Sequence, residues 1–193
     1  MIKLTKPNVS IEDFKNLKNV LNSSWIVEGA INNKLEKTIS RIFNSKFCHT
    51  ANSWTSAAFL IFKILNLKKN DEVLLPAFTF VACANVVKLS GARIRFVDTE
   101  KDGVNICFDD FKKKYNKNVK AAIIVDQIGI PVEIEKFIKF CKLKKITLIH
   151  DIACSFGSLY KKKQSGINSQ ISITSFHARK PITSAEGGAV ILN

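Results

Sequence analysis

The 193-residue chain is 46% hydrophobic, enough to bury a sizeable core, and no apolar run approaches the roughly 20 residues of a membrane span. Its 30 Lys and Arg residues against 16 Asp and Glu give a formal net charge of +14, which invites a nucleic-acid partner. Nearly all of the basic residues are lysines, and neither arginines nor aromatic residues cluster along the chain. We therefore expect solvated basic surfaces and no nucleic-acid or membrane partner.

Two amphipathic helices are predicted at the start of the chain. Residues 10–13 read as a capping box, in which a serine and a carboxylate cap each other's backbone amide. The helix that follows carries one apolar stripe, made of Ile11, Phe14, Leu17 and Leu21. A second helix repeats apolar residues at about fourfold spacing, at Ile31, Leu35, Ile39 and Ile42.

Short apolar runs then alternate with helical patterns. The runs lie at 48–51, 72–75, 93–97, 121–125 and 146–150. The helical patterns between them lie at about 55–66, 79–89, 108–114 and 132–144. This alternation predicts an α/β fold, a mostly parallel sheet with helices on both faces. Two further apolar runs, 171–174 and 189–192, flank a short polar loop.

The cysteines indicate the compartment. The five are widely spaced, with no Cys-x-x-Cys pair, which argues against a zinc site or a disulfide framework. The N-terminus also lacks the long apolar core of a signal peptide. We therefore expect reduced, mostly buried thiols, no bound metal and a cytoplasmic location.

Three predicted strands end in an aspartate: Asp98, Asp126 and Asp151. Each alone is also explained as a helix cap or turn residue. Ligands of parallel sheets bind beyond the carboxyl ends of the strands, so together with Lys180 these aspartates predict one functional rim. A lysine amine can form an imine with an aldehyde cofactor while a carboxylate keeps the cofactor's ring nitrogen protonated. Lys180 and Asp151 therefore predict a site for pyridoxal phosphate (PLP).

Two loops near this rim carry further candidates. Residues 52–58 follow the first sheet strand and open a helix, where hydroxyls and free amides bind anions, so Thr55 and Ser56 are candidate phosphate ligands. The alternative is an ordinary Ser/Thr cap. Phe80 follows the second sheet strand, where an aromatic ring can lie against a cofactor; the alternative is a core phenylalanine.

Four stretches together resemble the DegT/StrS family of sugar aminotransferases, fold-type I PLP enzymes that aminate keto sugars carried on nucleotides. They are residues 52–58, 75–82, 150–157 and 175–188, in the family's order. The last is the most specific: Ser-Phe-His-Ala-Arg-Lys, followed by Glu-Gly-Gly. With weaker similarity near the start, the resemblance spans nearly the whole chain.

The resemblance implies a role for each matching residue. Lys180 is implied to be catalytic, binding the cofactor and then moving the proton of the amino transfer, and Asp151 to pair with the pyridinium nitrogen. Five more cofactor contacts are implied: stacking by Phe80, phosphate binding by Thr55, Ser56 and Ser175, and Cys154 near the ring oxygen, where the family often has glutamine. His177 and Arg179 are expected to shape the lysine loop.

Some positions depart from the family pattern. Trp54 stands where many members have glycine and is expected to crowd the phosphate loop, and Asp126 stands where many have histidine. Ile152 replaces a small alanine. Members also continue well beyond the lysine motif into a small C-terminal domain. Residues 1–193 are therefore expected to form an incomplete PLP-binding large domain.

The resemblance implies a PLP-dependent aminotransferase of a nucleotide-linked keto sugar, in amino-sugar or cell-surface polysaccharide biosynthesis. It implies glutamate as the amino donor and a homodimer if the fold is complete. The alternative is an inactive fragment, or one subunit of a split enzyme, that binds PLP or a partner chain without turnover. Whether this chain alone is an enzyme is left open. Related sugar dehydratases commonly replace the lysine with histidine, so Lys180 favours amino transfer.

Overall fold

The computed structural model describes residues 5–193, which form a seven-stranded sheet, six α-helices and a small hairpin. The helices are α1 (Ile11–Asn22), α2 (Ala30–Phe43), α3 (Trp54–Leu65), α4 (Ala82–Leu89), α5 (Phe108–Lys114) and α6 (Ile134–Lys144). The sheet strands are β1 (Phe47–Ala51), β2 (Glu72–Pro76), β3 (Arg93–Val97), β4 (Val119–Val125), β5 (Thr147–Asp151), β8 (Ile171–Ser175) and β9 (Gly188–Leu192). The hairpin pairs β6 (Leu159–Tyr160) with β7 (Lys163–Gln164), and a single 3-10 turn spans Gln127–Gly129.

The sheet order is β1-β9-β8-β5-β4-β2-β3. Strands β2, β3, β4, β5 and β8 are parallel, and β9 alone runs antiparallel to both of its neighbours, β1 and β8. The mostly parallel sheet predicted from the alternation is therefore confirmed. Because the strands share one direction, the ends of β2, β5 and β8 lie along one edge, where parallel sheets bind ligands.

Helices cover both faces of the sheet, as predicted. On one face α3 and α4 pack their apolar sides, including Phe62 and Val86, against the central strands. On the other face α5 and α6 contribute Phe111 and Phe137, whose rings meet edge to face at 5.1 Å between centroids. Helix α2 packs Phe43 beside β1 and β9. Each fully buried phenylalanine stabilises the fold by about 2 kcal/mol through the hydrophobic effect.

Hydrogen bonds at two helix starts explain where those helices begin. The predicted capping box of α1 is confirmed, because the Asp13 amide donates to Ser10 Oγ at 3.2 Å and the Ser10 amide donates to Asp13 Oδ2 at 2.8 Å. Helix α4, predicted at about residues 79–89, begins three residues later than that pattern, at Ala82. The Gln127 side chain donates to the Phe78 carbonyl and holds the preceding loop out of the helix.

The apolar stripe of α1 faces solvent. No residue of this helix is buried, and Phe14 is 65% exposed. The segment that follows adds further exposed apolar side chains: Trp25, Ile26, Val27 and Ile31. Exposed apolar side chains in such number leave this part of the surface without an apolar partner among the described residues.

Candidate functional site

A pocket of about 350 Å³ lies at the carboxyl ends of β2, β5 and β8. It brings together five of the seven residues predicted to bind the cofactor: Thr55, Phe80, Asp151, Ser175 and Lys180. Other lining residues are Ser53, Trp54, Ala82, Cys83, Ala153, His177, Arg179 and Glu186. The central pair of the prediction, one amine and one carboxylate, thus shares a single cavity of a size that suits a small aromatic ligand.

Asp151 is the last residue of β5 and is buried in the pocket wall. Its Oδ1 accepts a hydrogen bond from the Ala153 amide at 2.9 Å, and its Oδ2 lies 3.6 Å from the Cys83 thiol. Burial raises the pKa of Asp151 above its usual value, although the Ala153 amide and the charge of Lys180 oppose that rise. Such a carboxyl gains from a cationic N–H placed against it, because the opposite charge favours its ionised form.

Lys180 lies in a hydrogen-bonded loop between β8 and β9. Its amide donates to the His177 carbonyl at 2.9 Å, and the Arg179 amide donates to His177 Nδ1 at 3.2 Å. His177 Nε2 also lies 3.5 Å from a carboxylate oxygen of Glu186, which ties the two ends of the loop together. The half-buried Lys180 side chain enters the pocket, where its Nζ donates to Cys154 Sγ at 3.2 Å.

The start of α3 provides an anion cradle. Ser53 caps the helix by accepting from the Ser56 amide at 3.1 Å. The amides of Trp54 and Thr55 come first in the helix, so they have no intrahelical acceptor and remain available to a ligand. Helix N-termini favour phosphate groups both through such amides and through the helix dipole.

Gly188, the first residue of β9, allows the sheet to approach this cradle closely. A Cβ added there would lie 2.6 Å from both the Trp54 amide nitrogen and the Ser53 carbonyl carbon. Any side chain at position 188 would therefore collide with the backbone of the cradle. This close contact explains why a glycine stands directly after the lysine loop.

Phe80 is exposed at the mouth of the pocket. Its side chain is 69% exposed and lines the cavity, so the alternative of a core phenylalanine is wrong. An exposed aromatic ring beside an anion cradle and a carboxylate is suited to stacking on a planar ligand.

Two predicted cofactor contacts do not line the pocket. Ser56 Oγ lies 3.0 Å from Ser53 Oγ, and the structure places Ser53 in the pocket wall in its stead. Cys154 reaches the site only through its contact with Lys180. Ser53 was missed as a site residue, although its position as N-cap, three residues before another serine, could have revealed it.

The prediction of a rim with three aspartates was wrong for Asp98 and Asp126, neither of which lines the pocket. Val125 pairs with Asp151 in the sheet, so the next residue, Asp126, projects to the opposite face. There it is fully buried and hydrogen-bonded to His150. Asp98 follows the edge strand β3 and is exposed.

The residues present fit PLP. The two free amides and the hydroxyls of Thr55 and Ser175 form an anion cradle, and the pocket also holds an aromatic ring, a carboxylate and an amine. These groups match, one for one, a phosphate, an aromatic face, a basic ring nitrogen and an aldehyde. Among the described residues no cluster of His, Cys, Asp or Glu is suited to a metal ion.

Comparison with known proteins identifies the family. A model of the DegT/DnrJ/EryC1/StrS aminotransferase family matches residues 7–193. GDP-perosamine synthase of Escherichia coli O157:H7 is 30% identical over 100% of this chain and 53% of its own length. The UDP-4-amino-4,6-dideoxy-N-acetyl-beta-L-altrosamine transaminase of Helicobacter pylori (strain ATCC 700392 / 26695) is 34% identical over 98% of this chain and 51% of its own.

Solved structures agree with the sequence comparisons. Spr1654 of Streptococcus pneumoniae, a candidate sugar aminotransferase solved in its PLP form, superposes with a TM-score of 0.93 and 27% identity over 100% of this chain and 53% of its own. This chain thus spans about half the length of the curated relatives it matches. The family depends on PLP. The chain belongs to the DegT/DnrJ/EryC1/StrS aminotransferase family.

Proposed function

We propose that this chain is the PLP-binding part of an aminotransferase that transfers an amino group to a nucleotide-linked keto sugar. The observation that carries the proposal is the pairing of Asp151 and Lys180 in one pocket beside the α3 cradle. The names of the relatives, a GDP-perosamine synthase and a UDP-sugar transaminase, support a nucleotide-sugar substrate. We further propose glutamate as the amino donor and a role in amino-sugar or surface-polysaccharide biosynthesis.

Each pocket residue has a proposed task. Lys180 binds the cofactor's aldehyde carbon and afterwards carries the proton of the transfer on its Nζ. Asp151 holds the proton on the ring nitrogen, and Phe80 covers a ring face. The free amides of α3, with Thr55 and Ser175, bind the phosphate, while Ser56 supports the cradle through Ser53. When bound, PLP supplies an electron-poor ring that stabilises negative charge at the reacting carbon.

Residues 1–193 are proposed to be the cofactor-binding large domain, acting as a homodimer in the cytoplasm. The exposed apolar stripe of α1 supports association with another chain. All five cysteines are unpaired, which agrees with a reducing compartment. Within the described residues, no helix combines the length and apolar character needed to cross a bilayer.

A second candidate is a chain that binds PLP or a partner without turnover. The exposed apolar surface of α1 favours it, because a chain that still needs a partner leaves such a surface uncovered. Amino transfer separates the two candidates. Purified protein with PLP, glutamate and a nucleotide-linked keto sugar should release the keto acid of glutamate if the chain is an enzyme. If PLP binds and no keto acid forms, the second candidate is favoured.

Cofactor binding is tested by absorbance. Adding PLP to the protein should produce a visible absorption band that differs from the band of free PLP, and borohydride should then fix the cofactor's mass on Lys180. Lys180→Ala should abolish both signals. Lys142→Ala, which alters an exposed lysine of α6 outside the pocket, should leave both unchanged. If the parent spectrum stays unchanged at saturating PLP, or if the label lands on other lysines, the proposal fails.

A further inference from the structure

We infer that Cys154 and Lys180 form a covalent modification site, in which a peroxide oxidant joins the sulfur to the amine nitrogen when no cofactor is bound. The starting observation is the contact of 3.2 Å between Lys180 Nζ and Cys154 Sγ. Both side chains are partly exposed, so a small oxidant can reach the pair. The proposed crosslink rests on this contact and does not depend on the proposed function. Its consequence, loss of cofactor capture, rests on the proposed function.

The other thiols are poorer targets. Burial raises the pKa of Cys48 and of Cys141 to about 12, and it raises the pKa of Cys83 well above its usual value. Thiols react with peroxide as thiolates, so these three react slowly. Cys107 is partly exposed, but no lysine amine contacts its sulfur among the described residues. The hydrogen bond from Lys180 Nζ to its sulfur distinguishes Cys154 from Cys107.

The chemistry balances in two steps. The Cys154 thiol takes an oxygen atom from hydrogen peroxide to give a sulfenic acid, and the peroxide is reduced to water. The unprotonated Lys180 amine then attacks the sulfur, an S–N bond forms, and the sulfenic oxygen leaves as a second water. Two thiols of a reductant reverse the link: they return the Cys154 thiol and the Lys180 amine, and they leave as a disulfide. The flexible lysine side chain closes the remaining gap.

The crosslink has a defined signature in a tryptic digest. Trypsin cuts after Lys145, Lys161 and Arg179, but not between Lys180 and Pro181. Cofactor-free protein treated with hydrogen peroxide in alkaline buffer should give a joined species of residues 146–161 and 180–193. Its mass should be about 2 Da below the sum of the two peptides, because the link removes two hydrogen atoms and retains no oxygen. Dithiothreitol should separate the peptides again.

Variants and PLP make the experiment decisive. Cys154→Ser should abolish the joined species, whereas Cys107→Ser, the matched change at the other partly exposed thiol, should leave it intact. PLP added before peroxide should protect the pair, since the cofactor occupies the amine. The visible band with PLP should fall in proportion to the crosslinked fraction and return with dithiothreitol. Oxidation of Cys154 to sulfinic acid with no joined species would overturn the inference.

The two proposals fail separately. If untreated protein shows no band with PLP but peroxide still joins the two peptides, the modification site stands and the proposed cofactor binding does not. If the band appears and the peptides never join, the proposed function stands and the modification site is wrong.

Discussion

The Asp126 carboxylate and the His150 imidazole are paired inside the protein, 2.9 Å apart, on the face of the sheet opposite the pocket. Asp126 Oδ2 also accepts hydrogen bonds from the hydroxyls of Ser155 and Ser165. The Asp126 amide donates to the Asp151 carbonyl at 3.1 Å, and His150 directly precedes Asp151 in β5. The network therefore anchors the strand end that carries the pocket's carboxylate.

Replacing Asp126 should destabilise the protein strongly. Asp126→Asn keeps the size but removes the charge that faces His150 and replaces an acceptor oxygen with a donor NH₂. We expect a loss of about 3 kcal/mol in the free energy of unfolding, the order found when one partner of a buried pair is removed. Urea denaturation of the parent and the variant measures this loss. Asp98→Asn, at the exposed strand end, is the control and should change stability by less than about 0.5 kcal/mol. Equal effects in the two variants would contradict a structural role for the pair.

The two buried aspartates should make opposite contributions to acid stability. Burial opposes ionisation of Asp126, but His150 and the two serine hydroxyls outweigh it and lower its pKa. The contribution of Asp126 to the free energy of unfolding is therefore present above the unfolded pKa of about 3.9. It is lost as the pH falls through the lower pKa that Asp126 has in the folded state. Because the pKa of Asp151 is raised in the folded state, its carboxyl group stays protonated to a higher pH there than in the unfolded chain. Between the unfolded and folded values of Asp151, stability falls as pH rises.

Asp151→Asn should therefore separate stability from cofactor binding. At neutral pH, cofactor-free Asp151→Asn should be at least as stable as the parent, because no buried carboxylate has to ionise. PLP affinity should fall roughly 10- to 100-fold, the worth of a hydrogen bond to a charged group. Denaturation curves across acidic to neutral pH and absorbance titration check the two halves. A less stable variant with parental affinity would refute this assignment for Asp151.

Gly188→Ala should disturb the anion cradle. The new Cβ would lie 2.6 Å from backbone atoms of Ser53 and Trp54, so strand and helix must separate. We expect the free energy of unfolding to fall by about 1–3 kcal/mol, as for overpacking. Compared with the parent, the variant should lose more affinity for PLP than for pyridoxal, which has no phosphate.

Gly103→Ala is the control for this change. Its added Cβ would lie 3.4 Å from the Glu100 side chain, an ordinary contact. Denaturation and parallel titrations with PLP and pyridoxal provide the measurement. If pyridoxal binding weakens as much as PLP binding, the effect is not on the phosphate site.

Motifs and periodicity predicted the parallel sheet, the capping box and the pocket pair, because these depend on local pattern and strand direction. They could not predict which face a residue at a strand end takes. Asp126 follows Val125, the residue that pairs with Asp151, so its side chain lies on the opposite face of the sheet. Trp54, which was expected to crowd the phosphate loop, is largely buried in the core and also lines the pocket. Its burial in the core depends on tertiary packing, which sequence spacing does not specify.

The stripe of α1 should promote self-association. Phe14→Lys combined with Leu21→Lys places charges at two side chains that are 65% and 59% exposed, so the free energy of unfolding should change by less than about 0.5 kcal/mol. Sedimentation velocity should show the parent chain associating as concentration rises and the variant remaining monomeric. Lys15→Glu with Lys18→Glu changes two charges on the same helix without removing apolar surface, and it serves as the control. If the Phe14/Leu21 variant associates as the parent does, α1 is not the contact between copies, and a different partner must cover it.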